Sequence, residues 1–270
     1  MNTSASTGTI SIRPGSGFVW AVRDTRAMVW RNLTVIRRVP QLLVFALIQP
    51  IIFVLMFRYV FGGAIQAPGG SYVDYLMPGI FVQTVAFGAL NTAIGLADDK
   101  NKGLLERLKS LPMSRSAVLG GRVLADTTRN VFIVVLMLLV GFAVGFHTHT
   151  SAVKVVGGVA VLVLFGFAMS WIFALIGLLV TNGEAAQAAA FPMLAPLVFA
   201  SSAFVDPATM PGWLRWWAER QPVSVTAKAV RSLMLGGPDF PIEYVWSSIA
   251  WSLAITAVLA PLAVRRFRHG

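Results

Sequence analysis

Residues 75–97 contain no Asp, Glu, Lys or Arg, and residues 131–146 contain none either. A helix needs about 20 mainly apolar residues to cross the hydrocarbon core of a bilayer, and stretches of that kind recur along the chain. They read as membrane-spanning helices. The competing picture is a large soluble protein with a buried helical core, and it fails on polarity. Of the 270 residues, 56% are hydrophobic and 12% charged. Ordinary soluble domains carry roughly a quarter charged residues. Too little polar sequence remains to cover such a core.

The expected fold is an all-α integral membrane protein with six spans, near residues 42–61, 76–97, 123–146, 153–180, 188–205 and 242–264. Residues 1–15 are polar, lack the apolar stretch of a signal peptide and read as a disordered tail. Residues 16–39 read as an amphipathic helix lying on the membrane. Phe18, Val22, Val29, Leu33 and Ile36 share one face, and Arg23, Arg31 and Arg37 lie on the other. Pro40 ends that helix and turns the chain into the bilayer. Residues 40–264 form the transmembrane domain, and 265–270 a short terminal tail.

Lys and Arg set the orientation, because they collect on the cytoplasmic side. With both termini cytoplasmic, most of the 22 Lys and Arg lie inside, in residues 13–38, 98–129 and 265–268. The net charge of +11 is then inward-side charge, and a nucleic-acid partner is not expected. The chain has no Cys, which excludes a disulfide scaffold, thiolate catalysis and Cys-ligated metal.

Enzyme signatures are missing. There is no H-E-x-x-H. His147 and His149 read as part of a short outer loop, and two imidazoles make at best half a metal site. There is no Gly-Lys dipeptide, so no Walker A loop; if ATP drives this protein, another chain binds it. Ionisable residues deep in the spans are scarce. Arg58 and Lys154 lie near span ends, and Asp126 and Arg129 can pair at i, i+3. A charge at mid-bilayer costs about 2.5–3.5 kcal/mol on insertion scales, and the chain avoids that cost almost everywhere. A proton-coupled pump and an ion channel are both disfavoured. The lack of an internal repeat counts against an inverted-repeat transporter.

Mildly polar groups remain inside the spans: Gln83, Thr84, Asn91, Ser170, Ser201 and Ser202. They suit either hydrogen bonds between helices or the lining of a path for a large amphipathic substrate. Residues 207–240 read as a re-entrant helical hairpin on the outer side. Trp213, Trp216 and Trp217 share a face there, Gln221-Pro222 interrupts the helix, and Val223, Val230 and Met234 form a second apolar face. Gly236-Gly237 ends the hairpin. The Trp cluster suits the headgroup zone, as an anchor or as a gate over an exit path.

Residues 98–122 are a dense charged block between two spans. Leu104, Leu105, Leu108 and Leu111 repeat at helical spacing, with Lys102, Glu106, Arg107 and Lys109 around them, and Pro112 stops the helix. The block could lie on anionic lipid. The apolar stripe favours instead a short helix docking in a partner's groove.

Two motifs make the chain recognisable. KGLLERLKSLPMSRSAVLGGR, residues 102–122, resembles the cytoplasmic signature of ABC-type-2 exporter permeases, especially the daunorubicin/doxorubicin-resistance permease group. SSAFVDPATMPGWLRWWAERQPVSVTAKAVRSLMLGG, residues 201–237, is similar to that group's outer hairpin. The resemblance extends over residues 20–266. It implies a half-transporter in a bacterial plasma membrane. Two permease chains, alike or different, would pair, and two copies of a separate ABC ATPase would bind beneath them. ATP and Mg would be handled by that ATPase, and no cofactor by this chain. The substrate would be a hydrophobic or amphipathic drug or lipid, moved outward.

The helix between spans two and three would couple to the ATPase. Gly103, Glu106, Leu108 and Pro112 match its pattern, and Leu104, Leu105, Arg107, Lys109 and Leu111 belong to the same element. The lead-in Lys100-Asn101-Lys102-Gly103 departs from the more acidic, Thr-containing lead-in of the wider superfamily. Spans one and five would form the dimer seam, shaped by Pro192 and Pro196. A permease for a cell-wall lipid or lipid-linked glycan has the same architecture. A membrane-embedded enzyme or a non-transporting structural subunit are the readings from other classes.

Overall fold

The structure, a computed structural model, describes residues 34, 41–60, 71–109 and 115–269. The expected tail at 1–15, the interfacial helix at 16–39 apart from Thr34, and Leu111 and Pro112 of the charged block lie outside the described residues. So do the side chains of Leu108 and Lys109.

Nine α-helices occur among the described residues, and no strand. They are α1 (Gln41–Leu55), α2 (Tyr72–Asn101), α3 (Leu104–Lys109), α4 (Arg115–Ala143), α5 (Ala152–Leu179), α6 (Gly183–Phe199), α7 (Gly212–Arg220), α8 (Pro222–Met234) and α9 (Glu243–His269). A π-helical turn, Met56–Val60, continues α1. By length and composition α2, α4, α5 and α9 can each cross a membrane. The other two expected spans fall on shorter helices, α1 with the apolar stretch Leu47–Val60 and the 17-residue α6. Helix α6 starts earlier than the expected 188, because Asn182 caps it at Gly183: its Oδ1 accepts the Ala185 N–H at 2.8 Å. Pro192 and Pro196 both lie inside it. At the other end of the chain the expected tail from 265 onward instead continues α9 to His269.

Helix α5 packs along α2, α4, α8 and α9, and α2 also carries α6 on its flank. Small residues bring the backbones together, as expected where lipid supplies no hydrophobic drive between helices. A Cβ at Gly177 of α5 would lie 2.5 Å from the Ala93 carbonyl oxygen of α2. The main core joins α2, α5, α6 and α8 through residues such as Phe81, Phe165, Leu194 and Val230. A second, smaller core sits at the end of the bundle that carries α3. It contains Leu96, Leu105, Leu119, Val123, Trp171, Leu178 and Phe267.

The hairpin α7–α8 is broken where expected. Pro222 opens α8, and the Gln221 side chain accepts the Val223 N–H at 3.1 Å. Gly236 and Gly237 end it with φ of +70° and +88°, a conformation open to Gly at little cost. Helix α8 is buried in protein from Val223 to Met234, other than Lys228. Only α7 keeps an exposed aromatic face.

Candidate functional site

Helix α3 begins after Gly103, whose φ of +67° makes the turn out of α2. Leu105 is 6% exposed and belongs to the smaller core, with Leu104 packed against it. The leucine stripe expected to enter a partner's groove is thus turned, at Leu104 and Leu105, into this chain's own helices. The reason is local: α2, α4, α5 and α9 converge here and leave an apolar hollow beneath α3. Glu106 and Arg107 are exposed on the opposite side. The site presents charge outward and is anchored inward.

Next to this core lies a charged cluster that the sequence reading gave only in part. Asp126 accepts from Thr92 Oγ1 at 2.7 Å and from Arg122 Nε at 3.3 Å, and Arg129 Nη2 lies 3.7 Å away. Arg122 Nη1 also reaches Asp99 at 3.2 Å, and Arg129 Nη2 donates to the Gly88 carbonyl at 2.9 Å. The i, i+3 pair foreseen for Asp126 and Arg129 is there, inside a larger α2–α4 lattice. Pairing of this kind is what permits buried charge in a membrane protein.

Gln83, Thr84 and Asn91 come together around a cavity of about 70 Å³, with Gln49, Pro50, Phe87, Gly88 and Ile133 completing the wall. Thr84 Oγ1 is occupied, donating to the Ile80 carbonyl one turn back at 2.7 Å. Gln83 is 2% exposed, and its Oε1 has no hydrogen-bond partner among the described residues. A drug-sized ligand needs roughly 300–1,000 Å³, so in this conformation the cavity admits water or one substituent. Ser170, Ser201 and Ser202 are not part of it. Ser170 donates to the Gly166 carbonyl within α5. Ser201 donates to the Val198 carbonyl, and Ser202 bonds Ser224 through both its N–H and its hydroxyl. Ser170 and Ser201 thus bond back into their own turn, and Ser202 links the segment after α6 to α8.

At the opposite end, Trp213, Trp216 and Trp217 are 76%, 60% and 45% exposed along one side of α7. Arg215 hydrogen-bonds Glu219 at 2.8 Å and holds that carboxyl below its usual range. Helix α8 contributes a buried cation that no expectation above named, Arg231. Arg231 is 1% exposed. Its Nε donates to the Tyr75 carbonyl and its Nη2 to the Ala203 carbonyl, both at 2.9 Å. The Tyr75 hydroxyl donates to the Ser202 carbonyl at 3.2 Å. The segment after α6 is therefore tied to α2 and α8 at once. The sequence carried little signal of this: α8 holds both Lys228 and Arg231 beside an apolar face, the pattern of an amphipathic helix rather than of a fully buried one.

Helices long and apolar enough to span, a charged outward face at one end, an aromatic hairpin at the other and a small, mainly apolar cavity carrying a few polar groups are features of a multi-pass membrane transport permease. Among the described residues no group of His, Asp or Glu could hold a metal. Comparison places this permease more closely. The ABC-2 type transporter family matches residues 23–235, and the chain belongs to that family. It is 35% identical over 252 residues to a daunorubicin resistance ABC transporter permease protein of Streptomyces coeruleorubidus, covering 92% of this chain and 87% of that one. It is 28% identical over 227 residues to a protein of Mycobacterium tuberculosis named "Probable doxorubicin resistance ABC transporter permease protein", covering 81% and 79%. A doxorubicin resistance ABC transporter permease protein of the same species is 25% identical over 223 residues, covering 78% and 77%.

Proposed function

We propose that this chain is the permease subunit of an ATP-driven exporter that moves a hydrophobic or amphipathic drug or lipid out of a bacterial cell. It sits in the plasma membrane with α3 and both termini on the cytoplasmic side. The anchored α3 carries the proposal: a helix charged on its outer side, and fastened by Leu105 to a core built from four long helices, suits the transfer of force from a soluble partner to the membrane domain.

Two permease chains pair, as a homodimer or with a second, different permease, and two ABC ATPase subunits bind beneath them. Gly103 sets the angle of α3. Glu106 and Arg107 face the ATPase, and Leu104 and Leu105 transmit its motion inward. Leu108, Lys109, Leu111 and Pro112 complete the same element. ATP and Mg are bound by the partner, whose nucleotide cycle changes the permease only because it favours one of its conformations over another.

The cavity at Gln83, Thr84 and Asn91 is the part of the substrate path nearest to formed in this conformation. Ser170, Ser201 and Ser202 join the path only if α5 and the segment after α6 rearrange. Trp213, Trp216 and Trp217 hold the outer hairpin at the headgroup level and form the outer gate. The test is transport in sealed vesicles containing the permease with and without its ATPase, with daunorubicin as probe. ATP-dependent accumulation only with both subunits supports the reading. Transport indifferent to the ATPase overturns it.

A further inference from the structure

Asp98, Asp99 and Lys100 are consecutive in the last turn of α2, just before α3. Successive residues of a helix point about 100° apart, so three in a row face three different neighbours. The Asp98 Oδ1 accepts the N–H of Gly183, the first residue of α6, at 2.9 Å. Asp99 Oδ2 meets Arg122 Nη1 of α4 at 3.2 Å. Lys100 Nζ donates to the carbonyls of Leu178 and Val180, at the end of α5, at 3.1 and 3.0 Å.

Residues 180–182 alone join α5 to α6, and Asp98 and Lys100 grip that joint from both sides. Each contact fits a need of the backbone. The last carbonyls of a helix have no partner within it, and neither do its first N–H groups. A cation at the C-terminus and an anion at the N-terminus also match the helix dipole.

We propose that Asp98, Asp99 and Lys100 are positioning residues that distribute a displacement of α3 to α4, α5 and α6 together. The proposal rests on the reading of α3 as the coupling helix. The covalent chain links α3 directly only to α2 and α4. Helices α5 and α6 lie far along the sequence, and α6 is the span that the resemblance places at the seam between permeases. Through the Asp98–Gly183 hydrogen bond and the two Lys100 bonds, a push on α3 reaches that span without passing through the length of the bundle.

The test uses the permease–ATPase complex. Asp98→Ala and Lys100→Met leave the ATPase bound and its basal hydrolysis intact. They lower probe-stimulated hydrolysis and export at least about fivefold, the low end of a coupling between sites. Asp98→Asn keeps an acceptor for the Gly183 N–H and Lys100→Arg keeps donors, so both retain export.

A second arm removes folding as an explanation. The chain has no Cys, and a Cβ at Gly183 would lie 3.0 Å from Asp98 Cγ. The pair Asp98→Cys with Gly183→Cys is therefore close enough to bridge with little backbone movement. Reduced, the protein loses stimulated export; oxidised, the disulfide replaces the lost hydrogen bond and export returns. Full export by Asp98→Ala and Lys100→Met, or an oxidised pair that exports no better than the reduced one, overturns the proposal. Failure of the α3 reading itself shows elsewhere, as unaltered ATPase binding after charge reversal at Glu106 and Arg107.

Discussion

The Arg231 guanidinium lies 3.6 Å from the centroid of the Tyr75 ring while its Nε donates to the Tyr75 carbonyl. One residue of α2 is thus held by one residue of α8 through both its side chain and its backbone. No carboxylate forms a salt bridge with Arg231 among the described residues; two carbonyls and an aromatic face solvate it instead. Stacking and forked donation together are properties of Arg that Lys lacks.

Arg231→Met leaves the Tyr75 and Ala203 carbonyls without that donor, at a cost on the order of 1–3 kcal/mol for each group left unsatisfied. Arg231→Lys recovers only part of it, because one ammonium cannot span both carbonyls and cover the ring. Thermal unfolding in detergent measures this. The expected order is wild type, then Lys, then Met, with Met lower by about 4 °C or more.

Asp126 is the shared acceptor of Thr92, Arg122 and Arg129. Asp126→Leu alone strands partly buried cations, a change that costs about 3–5 kcal/mol when a buried pair is broken on one side. Asp126→Leu with Arg129→Met removes part of that strain. The double variant therefore unfolds at a higher temperature than the sum of the single effects predicts, with a coupling of about 0.5–3 kcal/mol.

Gln83 separates a transport role from a packing role. Its Oε1 has no hydrogen-bond partner among the described residues, so Gln83→Leu removes a buried unsatisfied group and raises stability by about 1 kcal/mol or leaves it unchanged. If the cavity contacts substrate, export falls in the same variant. A more stable protein with unaltered export would remove Gln83, Thr84 and Asn91 from the path.

The absence of Cys makes orientation simple to measure. Trp213→Cys, on exposed α7, reacts with a membrane-impermeant maleimide in intact cells. Glu106→Cys, on exposed α3, reacts only after permeabilisation. Labelling of both from the same side would contradict the assigned topology.

What the sequence made legible, and what it did not, has a physical pattern. Charge-free runs mark α2 and α4, and Gln221-Pro222 and Gly236-Gly237 mark the limits of α8, because span length and backbone chemistry are local properties. The direction of the Leu104–Leu105 stripe was hidden. An apolar stripe states that something must cover it, and only the convergence of α2, α4, α5 and α9 shows that this chain does so itself. Asp98, Asp99 and Lys100 stand in the charged block with no local sign of what they meet, since their partners lie on α4, α5 and α6. Arg231 was hidden because α8 reads as amphipathic, with Lys228 and Arg231 beside its apolar face; only the packing of α8 against α2 and the segment after α6 shows the guanidinium buried. Gln83, Thr84 and Asn91 share a wall as their common helix suggested, whereas Ser170, Ser201 and Ser202 are each taken up by a nearby backbone group.

The central claim is that α3 is where a separate motor chain engages this permease. Charge reversal at both exposed positions, Glu106→Lys with Arg107→Glu, tests it most directly in a complex reconstituted with the ATPase. Leu105 still anchors α3, so the permease should fold and reach the membrane as before. The account predicts that ATPase binding, probe-stimulated hydrolysis and export all fall at least about tenfold, within the range expected when an energetic link between sites is cut. Hydrolysis and export at the unaltered level, from a complex of normal composition, would contradict it.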